Sequence, residues 1–101
     1  MNVTDFLKFT FDPFNPTQVR PRICCKDGFS ISVQGGTEFH YCTPRYHCNQ
    51  YIEVELGFPS AADSLLEGYA ENPTDPTGTV YGYVPIEVVE NLVEKHGGMV
   101  E

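Results

Sequence analysis

The stretch RPRICCKDGFSISVQ, residues 20–34, sets two apolar–polar alternations around Lys26-Asp27-Gly28, and the register of that hairpin decides the fold. If Asp27-Gly28 alone formed the loop, Ile23 and Cys25 would face Ser32 and Ser30, mixing polar and apolar side chains on both faces. A loop of Lys26-Asp27-Gly28, with Gly28 taking the left-handed conformation of a bulge, instead pairs Cys25 with Phe29, Ile23 with Ile31 and Pro21 with Val33. The two faces then separate. Because a buried face fixes register, this second pairing is the expected one. It turns Ile23, Cys25, Phe29, Ile31 and Val33 to the core and leaves Arg20, Arg22, Cys24, Ser30, Ser32 and Gln34 on the opposite face.

Downstream, Gly35-Gly36 ends the hairpin, and Glu38 to Cys42 reads as a short strand before Pro44. The alternation over 51–56 predicts a strand with Ile52, Val54 and Leu56 inward. Tyr51, Glu53 and Glu55 would face outward, the glutamates within reach of Arg20 and Arg22. Ser60 and Asp63 resemble a capping box for a short helix over 60–69, which would bury Leu65, Leu66 and Tyr69. The segment ENPTDPTG, 71–78, is an exposed loop. A strand over 79–84 would place Val80 and Val84 on one face and Tyr81 and Tyr83 on the other. Pro85 opens a helix over 85–96 whose apolar side is Ile86, Val89, Leu92 and Val93, and Gly97-Gly98 follows it. The expected fold is therefore α+β: a small antiparallel sheet built from hairpin 20–34 and strands near 51–56 and 79–84, packed by the C-terminal helix and the shorter one.

Before the hairpin, Thr4 can cap one helical turn, and Pro13 and Pro16 stop any regular element. Phe6, Phe9, Phe11 and Phe14 need a surface to bury them. They either pack on the chain's own core or make residues 1–19 an aromatic-rich arm that joins copies of the chain into a homo-oligomer.

A chain of 101 residues, 41% of them apolar, suits one domain with one core. No run approaches the roughly 18 apolar residues of a membrane span, and the first residues lack the basic-then-apolar pattern of an export signal, so membrane partners are not expected and the expected location is cytoplasmic. There the four cysteines would be thiols. Fourteen acidic against six basic residues leave a net charge of −8, which disfavours generic nucleic-acid binding.

Three constellations carry chemistry. The first is the outward face, where Arg20, Arg22, Cys24, Ser30, Ser32 and Arg45 would meet Tyr81 and Tyr83. Arginine forks read phosphate or carboxylate and tyrosine rings stack, so the face suits a small nucleotide-like ligand; surface ion pairs with Glu53 and Glu55 are the competing explanation. The second is a zinc site. Among the thiols and imidazoles the adjacent Cys24-Cys25 pair points to opposite sides, which narrows the ligand set to His40, Cys42, His47 and Cys48. The third is a thiolate–imidazole pair of Cys24 with His40 or His47, but no nucleophile elbow or oxyanion loop surrounds it, so an enzyme is not expected. Glu87, Glu90 and Glu94 read as a solvated helix face, and His96 as a residue favoured at a helix C-terminus.

The segments RPRICCKDGFSISVQ, HYCTPR, VELGFPS, YAENP, GTVYGYVP and VVENLVEKHGG, in that order, resemble a family of small proteins encoded by phages and prophages of intestinal bacteria. The resemblance spans about residues 20–98. It implies expression inside a bacterial host and transfers no catalytic or ligand residue. The expectation is a non-enzymatic phage accessory protein without a cofactor. It would act by binding, interfering with host defence or regulation through a host protein surface or by sequestering a nucleotide-derived signal. The alternative is a small zinc-stabilised metalloprotein of structural or interaction role.

Overall fold

Gly28 sits at φ +96°, and the loop it closes has the three-residue register: Cys25 N donates to the Phe29 carbonyl at 2.7 Å, and Ile23 lies opposite Ile31. The computed structural model, which describes residues 1–37 and 40–101, extends this hairpin into a four-stranded antiparallel sheet in sequence order. Its strands are β1 (Ile23–Cys24), β2 (Ser30–Gln34), β3 (Glu53–Gly57) and β4 (Val80–Pro85), flanked by helices α1 (Val3–Phe9) and α2 (Ile86–Lys95). The fold is α+β. All five residues of the expected inward hairpin face are buried.

One side of the sheet is covered by α2 through Val89, Leu92 and Val93 and by α1 through Val3, Phe6 and Leu7. Each fully buried aliphatic contributes about 1.5–3 kcal/mol, so this layer carries most of the stability. Asn2, not Thr4, caps α1, its Oδ1 accepting from Asp5 N at 2.7 Å. Thr4 is inside the helix and directs its hydroxyl toward Glu90. Of the four N-terminal phenylalanines Phe6 is buried in the core and Phe11 is partly buried, 4.7 Å from the His47 ring, while Phe9 and Phe14 are exposed. Beyond α2, Gly97 and Gly98 turn the chain at φ +92° and +89°, so Val100 N reaches the Cys24 carbonyl at 2.8 Å and the tail covers the edge of β1. The Met1 ammonium meets the Glu101 carboxylate beside it.

Two strands depart from simple alternation. At the entry to β3, Tyr51 is buried and Ile52 is 68% exposed, the reverse of the expected faces. The strand starts at Glu53, two residues later than expected. Ile52 spends its backbone on two neighbours, donating to the Thr43 carbonyl at 2.7 Å and accepting from Ile86 N at 2.9 Å, which turns its side chain to water. In β4, Val54 pairs with Val84 but Leu56 pairs with Tyr81, so Gly82 and Tyr83 together oppose Glu55. Tyr83 adopts φ +52° at this bulge. The inward positions are therefore Tyr81 and Val84, and Val80, opposite Gly57, lies on the outer face, so the expected groupings of Tyr81 with Tyr83 and of Val80 with Val84 are both corrected.

The expected helix over 60–69 is a single 3-10 turn, Ser64–Leu66. Asp63 caps it, accepting from Leu65 N at 2.9 Å, and Gly68 at φ +91° ends the segment. Ser60 cannot serve as the cap because it pairs with Ser30, donating N–H to its carbonyl at 2.8 Å and accepting from its N at 2.9 Å. Leu66 is buried and Leu65 exposed. The expected strand over 38–42 lies partly outside the described residues, at 38–39. Residues 40–42 are not strand, and Thr43 forms an isolated bridge with Glu53.

Candidate ligand-binding face

The outer face of the sheet, away from the helices, is where the expected ligand set can be placed residue by residue. Arg22 lies along it. Its Nε and Nη2 reach Ser30 Oγ at 3.3 and 3.1 Å, and Nη2 donates to the Phe58 carbonyl at 2.7 Å. Cys24 is exposed and Ser32 half-buried, its hydroxyl accepting from Gln34 Nε2 at 3.0 Å. Gly57 separates Ser32 from Val80 on this face and adds no side chain, which keeps the middle shallow.

A second group forms where segment 40–42 crosses the β3–β4 bulge. Tyr41 N donates to Glu55 Oε2 at 2.7 Å, and Tyr83 N donates to the Tyr41 carbonyl at 3.0 Å. Gly82 permits the crossing, since a Cβ there would stand 3.1 Å from Tyr41 Cβ. The result is an exposed pair of rings, Tyr41 and Tyr83, with centroids 5.9 Å apart, and the Arg45 guanidinium 5.7 Å from the Tyr41 centroid. Arg22, Cys24, Ser30, Ser32, Tyr83 and Arg45 thus remain on or beside the outer face, and Tyr41 joins them.

Arg20 and Tyr81 do not. Arg20 is 3% exposed and faces the N-terminal segment. Its Nε donates to Thr10 Oγ1 at 3.0 Å, Nη1 to the Gly35 carbonyl at 3.3 Å, and Nη2 to the carbonyls of Leu7 and Cys48 at 3.3 and 3.1 Å. The Tyr51 ring lies beneath it at 5.8 Å. Strand alternation fails here because β1 starts only at Ile23, leaving Arg20 free to turn inward. Tyr81 is buried, its hydroxyl donating to the Pro76 carbonyl. Nor do the glutamates pair with these arginines: Glu53 accepts from Thr43 Oγ1 at 2.8 Å and Glu55 is occupied by Tyr41 N.

The four expected zinc ligands turn to separate partners. Cys42 is buried, its sulfur 3.4 Å from Gly36 N, the Gly36 carbonyl and the Pro44 carbonyl, and burial pushes its thiol pKa up despite the Gly36 N–H. Cys48 donates to the Gln50 carbonyl at 3.1 Å, and His47 donates Nε2–H to the Asp12 carbonyl at 2.7 Å. His40 Nδ1 lies 4.0 Å from Glu55 Oε1. Among the described residues no group of three or more His, Cys, Asp or Glu is placed to hold a metal.

One cluster was invisible to spacing. His96, at the end of α2, directs Nδ1 to Asp27 Oδ2 at 2.6 Å and Nε2 to Asp63 Oδ2 at 2.8 Å, and its ring stacks on Phe29 at 3.9 Å. Lys95 Nζ approaches Asp63 Oδ1 at 3.0 Å. These residues lie on the β1–β2 loop, the cap of the 3-10 turn and the helix end, and the only sequence cue was that each occupies an element terminus.

Among the described residues no helix is long and apolar enough to cross a membrane. No family model, curated protein or solved structure matches the chain.

Proposed function

We propose that the chain is a phage-encoded accessory protein that acts by binding in the cytoplasm of a bacterial host. Its outer sheet face would occupy a surface of a host defence or regulatory protein. The observation that carries the reading is the exposed Tyr41–Tyr83 pair with Arg45 against it, held on a bulge where Tyr83 sits at φ +52°. A non-glycine residue in the left-handed region costs about 1–2 kcal/mol, and such strain persists where it serves a site. Tyrosine and arginine are also the residues that dominate the energy of protein interfaces. Tyr41 and Tyr83 are 39% and 44% exposed, which suits a protein partner. The resemblance of residues 20–98 to phage and prophage proteins supports the setting.

Immobilised protein incubated with lysate of an intestinal bacterium tests this reading. Wild type is expected to retain a specific host protein that Tyr83→Asn and Arg45→Glu release while both variants melt as wild type does. Equal capture by the two variants, or none by wild type, overturns it. Melting shifts with cyclic dinucleotides or ADP-ribose, in place of capture, would assign the same face to a nucleotide-derived signal.

A further inference from the structure

Three separate elements meet on the His96 ring, and their chemistry fixes its protonation state. Both ring nitrogens face carboxylate oxygens, at 2.6 Å to Asp27 and 2.8 Å to Asp63. An ionised carboxylate only accepts, and a neutral imidazole has a single N–H, so both bonds exist together only on the imidazolium. The carboxylates are themselves held ionised. Asp27 Oδ1 accepts from Phe29 N at 2.9 Å, and Asp63 Oδ1 accepts from Leu65 N at 2.9 Å and from Lys95 Nζ at 3.0 Å. The charged groups around the ring are thus Asp27 from the β1–β2 loop, Asp63 from the 3-10 turn and Lys95 from α2 itself; the remaining face is the uncharged Phe29 ring.

We propose that His96 is a proton-operated latch that fastens the β1–β2 loop to the segment before the 3-10 turn, and that loss of its proton opens the latch at Asp27. The asymmetry of the two acids sets which side lets go. The Asp63 side chain is 3% exposed and pinned by Lys95, whereas the Asp27 side chain is 48% exposed and can turn to water. A neutral ring therefore keeps Nε2–H on Asp63 and presents a lone pair to Asp27, which repels it. The space that would widen is the cleft of about 280 Å³ lined by Asp27, Gly28, Phe29, Ser60, Ala61 and His96. The backbone bonds Lys26 N to the Gly98 carbonyl and Asp27 N to the His96 carbonyl keep the loop tethered, so opening is a local displacement, not unfolding.

The titration directions agree with the geometry. Partial burial pushes the His96 pKa down, but hydrogen bonds to Asp27 and Asp63 and their charges outweigh it and raise it above the ordinary 6.5. Asp27 is lowered from 3.8 by the Phe29 N–H and by His96. Burial raises Asp63, but Leu65 N–H, His96 and Lys95 outweigh it and hold it below 3.8. The contribution of the raised histidine is complete below pH 6.5 and is lost as pH rises through its folded value. That of the lowered acids is present above pH 3.8 and is lost as pH falls through their folded values.

Proton NMR of the full chain across this range tests the latch, with the His40, His47 and His96 rings assigned separately. His96 is expected to titrate above 6.5, and the amides of Asp27, Gly28 and Ala61 to shift with the same midpoint. Asp27→Asn, a change at an exposed side chain, should lower that midpoint. His96→Gln, which keeps a hydrogen bond without titrating, should abolish the amide step. A ring titrating at or below the ordinary value, or an amide step that survives His96→Gln, overturns the proposal.

Discussion

The side-chain amide of Gln34 bonds both backbone groups of Arg20: Oε1 accepts from Arg20 N and Nε2 donates to the Arg20 carbonyl, each at 2.8 Å. The pairing of Ile23 with Ile31 would, if extended, bring residues 20 and 34 opposite each other. Pro21 has no N–H to extend the ladder, and β1 begins only at Ile23. Gln34 closes the gap with its side chain, and because both residues are buried, no water can replace it. Gln34→Leu should therefore strand two backbone groups, costing about 2–4 kcal/mol. Urea unfolding measures this, with Ser32→Ala, a change on the same face, expected within about 0.5 kcal/mol of wild type.

Arg20 itself joins four acceptors on segments distant in sequence: Leu7 and Thr10 at the end of α1, Gly35 after β2, and Cys48 before β3. A lysine has the charge but not the fork, and cannot reach these acceptors at once. Arg20→Lys is expected to lose about 2–3 kcal/mol and to loosen residues 10–19 before the sheet. Limited proteolysis reports the order: cleavage within 10–19 should accelerate at denaturant concentrations where the rest of the chain stays intact. Simultaneous cleavage throughout would mean that Arg20 supports the whole fold equally.

If the outer face binds as proposed, the left-handed Tyr83 sets stability against binding. Glycine at this position relieves about 1–2 kcal/mol of strain and costs about 0.5–1 kcal/mol in chain entropy. Tyr83 is 44% exposed, so its removal sacrifices limited burial. Tyr83→Gly should then raise stability by up to about 1 kcal/mol, a melting increase of roughly 4–8 °C at most, while the proposed capture of a host protein is lost. A fall in melting temperature would place the ring's packing on Tyr41 above the strain.

The hairpin was readable because one residue type, Gly28 at φ +96°, and one buried face agreed on a single register. The same logic failed at Tyr51, Ile52 and Tyr81, where the face is set by a bulge and by a crossing segment distant in sequence. Alternation assumes an unbroken ladder, and Gly82 carried no sign that Tyr83 would absorb the extra residue. The candidate site suffered likewise. Arg22, Ser30 and Ser32 lie inside or beside regular strand and face as expected, whereas Arg20, before the strand begins, obeys its acceptors instead. The Asp27–His96–Asp63 cluster joins residues that no periodicity relates.

Thiol reactivity separates the cysteines, which are all free. Cys24 is exposed, Cys48 partly buried, and Cys25 and Cys42 buried. Desolvation raises the thiol pKa of Cys25, aided by the charge of Asp27, and burial does the same for Cys42. The thiolate is the nucleophile, so both buried thiols must wait for a local opening before they can ionise and react. An opening of about 3 kcal/mol slows modification about a hundredfold. Iodoacetamide labelling followed by mass spectrometry should therefore modify Cys24 first, Cys48 next, and Cys25 and Cys42 only at rates that rise with denaturant. Rapid labelling of Cys42 in native buffer would show that the 40–48 loop opens without the sheet, and would remove Tyr41 from any fixed binding face.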